Sequence, residues 1–255
     1  MRWPRRLRHG EEATLVEHLE ELRLRIIVSL VAIGVAFGVA YGFSDHVIEW
    51  LKQPLPPERR DKLLTIGVTE PFFTSLRVSL YAALVGAMPV VLWQLWSFLA
   101  PAIEERRQRV VAVFALFATV LFAGGIVFSY YVVLPPALDF LTNYNSDEFN
   151  VQIRAASYFS FVSAVLLAIG IVFLLPVFVL ALVRLGILSA ATLRRKRRIG
   201  YFLAVAVAVL LPTVDPVSLA FETVPLVVLF EASIWLAVYF EKRWWPAPTV
   251  REEPI

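Results

Sequence analysis

VSLYAALVGAMPVVLWQLWSFLAPAIEERR, residues 78–107, decides the reading of this chain. Residues 78–97 contain no Asp, Glu, Lys or Arg, and a bilayer core of about 30 Å needs roughly 20 residues of helix to cross it. The run ends in Trp96 and Phe98, turns at Pro101, and meets Glu104, Glu105, Arg106 and Arg107. Two questions follow: how many such helices the chain has, and what the acids at the edge do. Carboxylates are favourable in the first turn of a helix whatever the function. A site for a cation would place them there as well.

Composition answers the first question in outline. The chain is 59% hydrophobic and 18% charged, with a mean hydropathy of +0.71. Soluble domains run nearer half apolar and a quarter charged, so a membrane protein is expected. There is no cysteine, which excludes disulfides, thiol catalysis and thiolate metal sites. His9, His18 and His46 lie outside the apolar runs and far apart. They read as ordinary polar positions, with no metal site expected. The opening MRWPRRLRHG lacks the apolar core and cleavage site of a signal peptide. Its Arg5–Arg6 pair reads as an inside-positive flank.

Apolar runs fall at about 26–43, 76–97, 110–134 and 158–183, with two shorter ones at about 199–211 and 217–240. The fifth is too short for a standard bilayer unless the membrane thins or the flanks snorkel; a re-entrant hairpin of segments five and six is the alternative. With the N-terminus inside, the inner segments hold six Lys and Arg (1–25), three (98–109), six (184–198) and three (241–255). The outer ones hold four (44–75), one (135–157) and none (212–216). The positive-inside rule then puts both termini in the cytoplasm. The expected fold is an all-α polytopic membrane protein of six transmembrane helices, the last two short. Trp50, Trp93, Trp96, Tyr130, Tyr131, Trp244 and Trp245 stand at span edges and read as interfacial belts. The organisation is a basic tail (1–13), a membrane domain (14–240) with an amphipathic lead-in (14–25), and a tail (241–255). The Pro-rich 51–60 is expected to shape an outer cap.

The lead-in TLVEHLEELRLR begins with a capping box, Thr14 and Glu17. Leu15, Leu19, Leu22 and Ile26 form one apolar stripe, with Glu17, Glu20 and Glu21 away from it. The pattern describes a helix lying along the inner membrane face.

HLEELRLR followed directly by a span resembles the opening of TatC, the polytopic core of the twin-arginine protein translocase. Residues 68–107 look like that family's second span and first cytoplasmic loop. FSYYVVLPPALDFL (128–141), ASYFSFV (156–162), LRRKRRIGYF (193–202) and LLPTVDPVSLAFETVPLVVLFE (210–231) follow in family order. The family fold has six helices with both ends inside, in agreement with the count above.

The resemblance implies a protein of the bacterial cytoplasmic membrane that recognises signal peptides bearing paired arginines. It implies export of folded proteins with TatA- and TatB-type single-span partners, self-association in a larger complex, the proton-motive force as energy source, and no cofactor. By motif position, Phe98 and Glu105 match the recognition residues of the first loop, and Glu21 and Arg23 those of the N-terminal region. Glu105 and Glu21 are then the guanidinium partners, with Glu104 and Glu20 as supporting charge. Phe98 forms an apolar wall and Pro101 fixes the turn. Arg23, Arg106 and Arg107 hold the acids or face lipid phosphates.

Glu222 and Glu231 lie within segment six and Asp215 at its entrance. An intramembrane carboxylate usually faces a partner or a wet cavity; Glu231 is expected to pair near the inner end and Asp215 to cap the helix. The family's fourth-span glutamate is Leu174 here, and its sixth-span glutamine is Leu219. Glu222, three residues on, is expected to supply the missing polarity. With Asp215 and Ser218 it marks a polar patch for partner docking.

A secondary transporter of a small solute is the alternative. It requires polar residues converging at mid-membrane, whereas spans one to four offer only small hydroxyls such as Ser29, Ser79, Thr119 and Ser163. An intramembrane enzyme would need a nucleophile with a base or paired aspartates, and no such set lies in the spans. RRKRR at 194–198 reads as a topological, lipid-facing cluster, not a nucleic-acid site.

Overall fold

A computed structural model describes residues 15–99, 108–145, 148, 151–213 and 215–244. Among these residues ten α-helices run α1 Leu15–Gly42, α2 Ser44–Lys52, α3 Glu70–Leu99, α4 Gln108–Phe128, α5 Leu134–Asn143, α6 Ala155–Val172, α7 Leu175–Arg184, α8 Ala190–Arg195, α9 Arg197–Leu210 and α10 Pro216–Trp244. The extended pairing among the described residues is one isolated parallel bridge, Leu64 to Arg154. Among the described residues five segments are long and apolar enough to cross a membrane: His18–Gly42, Glu70–Leu99, Val111–Asn143, Ala155–Arg184 and Pro216–Glu241.

Proline shapes two of these spans. The third combines α4 and α5 through a π-helical turn, Ser129–Val133, set directly before Pro135 and Pro136. Neither proline can donate to the carbonyl one turn earlier, and the widened turn absorbs that loss. The fourth breaks between α6 and α7 at Phe173–Leu174, with Pro176 in the first turn of α7, where its missing N–H costs nothing.

Three expectations need correction. Residues 15–25 do not form a separate helix along the membrane face: α1 is one unbroken helix of 28 residues. Its charged residues are good helix formers and nothing interrupts the turn at the first apolar residue. The sixth helix is not short. α10 has 29 residues, about 43 Å at 1.5 Å per residue, because it continues past the apolar edge into Glu241. Only α9, with 14 residues and about 21 Å, falls short of a bilayer core. Trp96 and Tyr130 are core residues, 3% and 5% exposed, and not belt residues. Trp96 packs against Phe114 and Phe178, and the Tyr130 ring stacks on Trp50 at 4.1 Å. Position at a span edge does not say which face of the helix a ring occupies.

Small residues bring helices together, as expected where lipid supplies no hydrophobic drive between them. A Cβ on Gly125 would stand 2.9 Å from the Gly170 Cα and 2.8 Å from the Phe173 ring, so α4 and α6 touch backbone to backbone. Around this contact, Leu92, Trp96, Ala118, Phe122, Leu174 and Val177 form one core cluster. Leu174 is therefore packed among apolar side chains. α1 packs chiefly on α3.

The end of the molecule opposite the start of α1 is tied by polar contacts. The Tyr130 and Tyr158 hydroxyls donate to the Trp50 and Leu51 carbonyls at 2.8 and 2.7 Å. Arg60 donates to the Leu55 and Gln53 carbonyls, so the Pro-rich 51–60 is folded as a cap. The buried Glu70 carboxylate accepts from the Ile66 and Gly67 amides at 3.0 and 3.2 Å and from Arg154 at 2.9 and 3.2 Å. It thereby gathers the α3 start, the preceding loop and the entrance of α6.

Candidate functional site

α1 and α3 run antiparallel, which returns the last turn of α3 to the first turns of α1. Phe98 and His18 meet there as a flat stack, ring centroids 4.4 Å apart and planes 17° from parallel. Glu21 lies one turn along α1 from His18, its Oε2 3.9 Å from the His18 Nδ1, beyond hydrogen-bond reach. Arg25, one further turn along, donates Nε to the Glu21 Oε1 at 3.1 Å and adds a second bond from NH2 to the same oxygen. Its NH1 reaches the Gln94 Oε1 of α3 at 3.3 Å. A half-buried carboxylate thus stands beside an aromatic surface, with one oxygen held and the other turned toward the stacked rings.

Of the residues singled out in the sequence, Glu21 and Phe98 converge here. Glu20 and Arg23 lie on the same helix and are exposed. Pro101, Glu104 and Glu105 fall outside the described residues, as does Thr14 of the capping box. Arg23 is expected to hold the acids or face lipid phosphates; the Glu21 carboxylate itself is held by Arg25. Residues four apart share a helix face, whereas residues two apart do not. Sequence reasoning passed over His18, Arg25 and Gln94. The Glu21–Arg25 spacing was the available signal; nothing local pointed to His18 or Gln94.

A second polar group is buried at the turn into α10. Thr213, Asp215, Ser218 and Glu222 are 3%, 4%, 0% and 3% exposed. Asp215 caps α10 as expected, its Oδ1 accepting from the Ser218 amide at 2.8 Å. The Thr213 hydroxyl lies 2.8 and 2.7 Å from the two Glu222 carboxylate oxygens, so its single proton is shared between them. Asp215 Oδ2 and Ser218 Oγ have no hydrogen-bond partner among the described residues. Midway along α10, Glu231 pairs with Arg197 at 3.1 Å and accepts from Tyr201; the pairing is as expected, but at mid-helix and not near its end. Among the described residues no group of three or more His, Cys, Asp or Glu is placed to hold a metal ion.

A bundle of membrane-length helices is the architecture of a polytopic membrane protein, and comparison with known proteins narrows it. The family model for the Sec-independent protein translocase protein TatC matches residues 17–225. The TatCd protein of Bacillus subtilis is 35% identical over 233 residues, covering 91% of this chain and 95% of that protein. TatC of Koribacter versatilis is 36% identical over 242 residues, 91% of this chain and 89% of that one. A crystal structure of the twin arginine translocase receptor TatC in DDM superposes with a TM-score of 0.77 at 31% identity, covering 86% of this chain and 99% of that one. The chain belongs to the TatC family. It is a multi-pass protein of the bacterial cytoplasmic membrane and a subunit of the Tat protein translocase, working with other Tat subunits. The small-solute transporter reading is not favoured.

Proposed function

We propose that this subunit is the receptor of its translocase, binding paired-arginine signal peptides at the rim formed by α1, the end of α3 and the loop that follows. The observation that carries the proposal is the placing of Glu21 beside the His18–Phe98 stack. Guanidinium groups take carboxylates in planar, often bidentate contact. Such contacts are worth about 0–1 kcal/mol in open water and rise toward about 1.5–3 kcal/mol where charged hydrogen bonds are partly desolvated. Glu21 and Glu105 are the guanidinium partners, Glu20 and Glu104 add negative potential, Phe98 is the apolar wall, and Pro101 sets the loop. Arg23, exposed on α1, faces lipid phosphates.

In this reading six helices cross the membrane, α9 being the fifth, with both termini and the receptor rim on the cytoplasmic side. The membrane domain, 14–240, works by binding and not by catalysis. Folded cargo is exported with TatA- and TatB-type single-span partners, in a self-associated complex driven by the proton-motive force. The buried polar group of Asp215, Ser218 and Glu222 serves partner docking. Glu222 supplies the intramembrane polarity absent at Leu174 and Leu219.

The test is binding of a paired-arginine peptide and its paired-lysine counterpart to the purified protein. Selective retention of the arginine peptide, weakened by Glu105→Gln without loss of membrane insertion, supports the reading. Equal retention of the two peptides, or equal crosslinking to the Gln variant, overturns it.

A further inference from the structure

We propose that His18 is the residue that makes this site select arginine over lysine; the proposal rests on the receptor reading above. Both Arg25 bonds fall on the Glu21 Oε1, and Gln94 holds the same guanidinium from α3. The carboxylate is therefore fixed by one oxygen. Its Oε2 accepts no hydrogen bond from the described residues and lies nearest the His18 ring. One face of that ring is covered by Phe98, while the His18 side chain keeps 44% exposure. A planar cation that donates to Oε2 is brought against the uncovered imidazole face. A guanidinium stacks in that position and hydrogen-bonds in its own plane at the same time; an ammonium has no plane to stack.

Two separate tasks follow. Arg25 and Gln94 position the carboxylate for any cation. His18, backed by Phe98, supplies the flat surface that rewards guanidinium alone. Loss of the ring is then expected to act on selectivity more than on affinity for a lysine peptide.

The experiment measures binding of the paired-arginine and paired-lysine peptides to full-length protein in lipid nanodiscs, for wild type, His18→Ala and His18→Phe. In wild type the arginine peptide binds better. His18→Ala is expected to reduce that preference by roughly two- to thirty-fold, the range of a cation held over a ring face, through loss of arginine binding. His18→Phe, which keeps a flat ring, is expected to retain the preference. An unchanged preference in His18→Ala overturns the proposal, as does an equal loss in His18→Phe. Absence of any preference in wild type instead overturns the receptor reading on which the proposal stands.

Discussion

The Phe230 ring of α10 occupies the space above Gly200 of α9 so closely that a Cβ on the glycine would stand 2.0 Å from the ring's Cζ. Phe230 is itself buried and meets Tyr201 edge to face, centroids 5.9 Å apart. The short α9 is therefore seated on α10 through a position that tolerates no side chain. Gly200→Ala is expected to destabilise the protein by about 1–3 kcal/mol, the usual cost of overpacking. Thermal unfolding of the purified protein measures it. The double variant Gly200→Ala with Phe230→Leu should recover most of the loss, and failure to recover would place the strain elsewhere.

The Thr213–Glu222 contact yields a second prediction. Thr213→Val removes the donor from a buried carboxyl and is expected to cost about 1–3 kcal/mol. Glu222→Ala should lower stability and export of a paired-arginine reporter, whereas Glu222→Gln, which still accepts from Thr213, should restore export. Combining Thr213→Val with Glu222→Ala should cost less than the sum, because both remove one contact. Normal export by the Ala variant would exclude a role for this group in the translocase.

Membrane orientation is open to a direct check, because the chain has no cysteine of its own. Asp61, Ala191 and Pro212 are exposed and suit single cysteine substitutions. An impermeant maleimide added to intact cells is expected to label positions 61 and 212 but reach 191 only after permeabilisation. Protection of position 212 would mean that α9 and α10 form a re-entrant hairpin and that α9 does not cross.

Much of this fold was legible because a bilayer imposes its length on every span. Four of the five long spans and the shortness of α9 follow from runs of apolar residues alone. Helix ends were less legible: hydropathy changes at Arg25 and at Phe240, but glutamate, lysine and arginine continue a helix readily. That is why α1 and α10 outrun their apolar segments. The capping role of Asp215 could be read locally, since a capping side chain lies within three residues of the amide that donates to it.

The candidate site was half legible. Glu21 and Phe98 stood out by motif, and Glu21–Arg25 was readable as a helical pair. His18 was passed over because histidines were judged by their distance from one another in sequence, whereas its partner is a phenylalanine on another helix. Trp96 was misread for a related reason, its neighbours Phe114 and Phe178 lying on other helices. Contacts across such separations are set by how helices pair, which no local pattern encodes.

Glu70 has a consequence for how the chain is made. Its guanidinium partner, Arg154, lies 84 residues downstream. At a synthesis rate of about 5–20 residues per second, this carboxylate waits roughly 4 to 17 s before Arg154 leaves the ribosome. The second span therefore enters the bilayer with its anchor unclaimed. The rim at that end of the molecule clicks shut only when the fourth span begins to follow, so biogenesis of this protein includes a fastening step timed by translation.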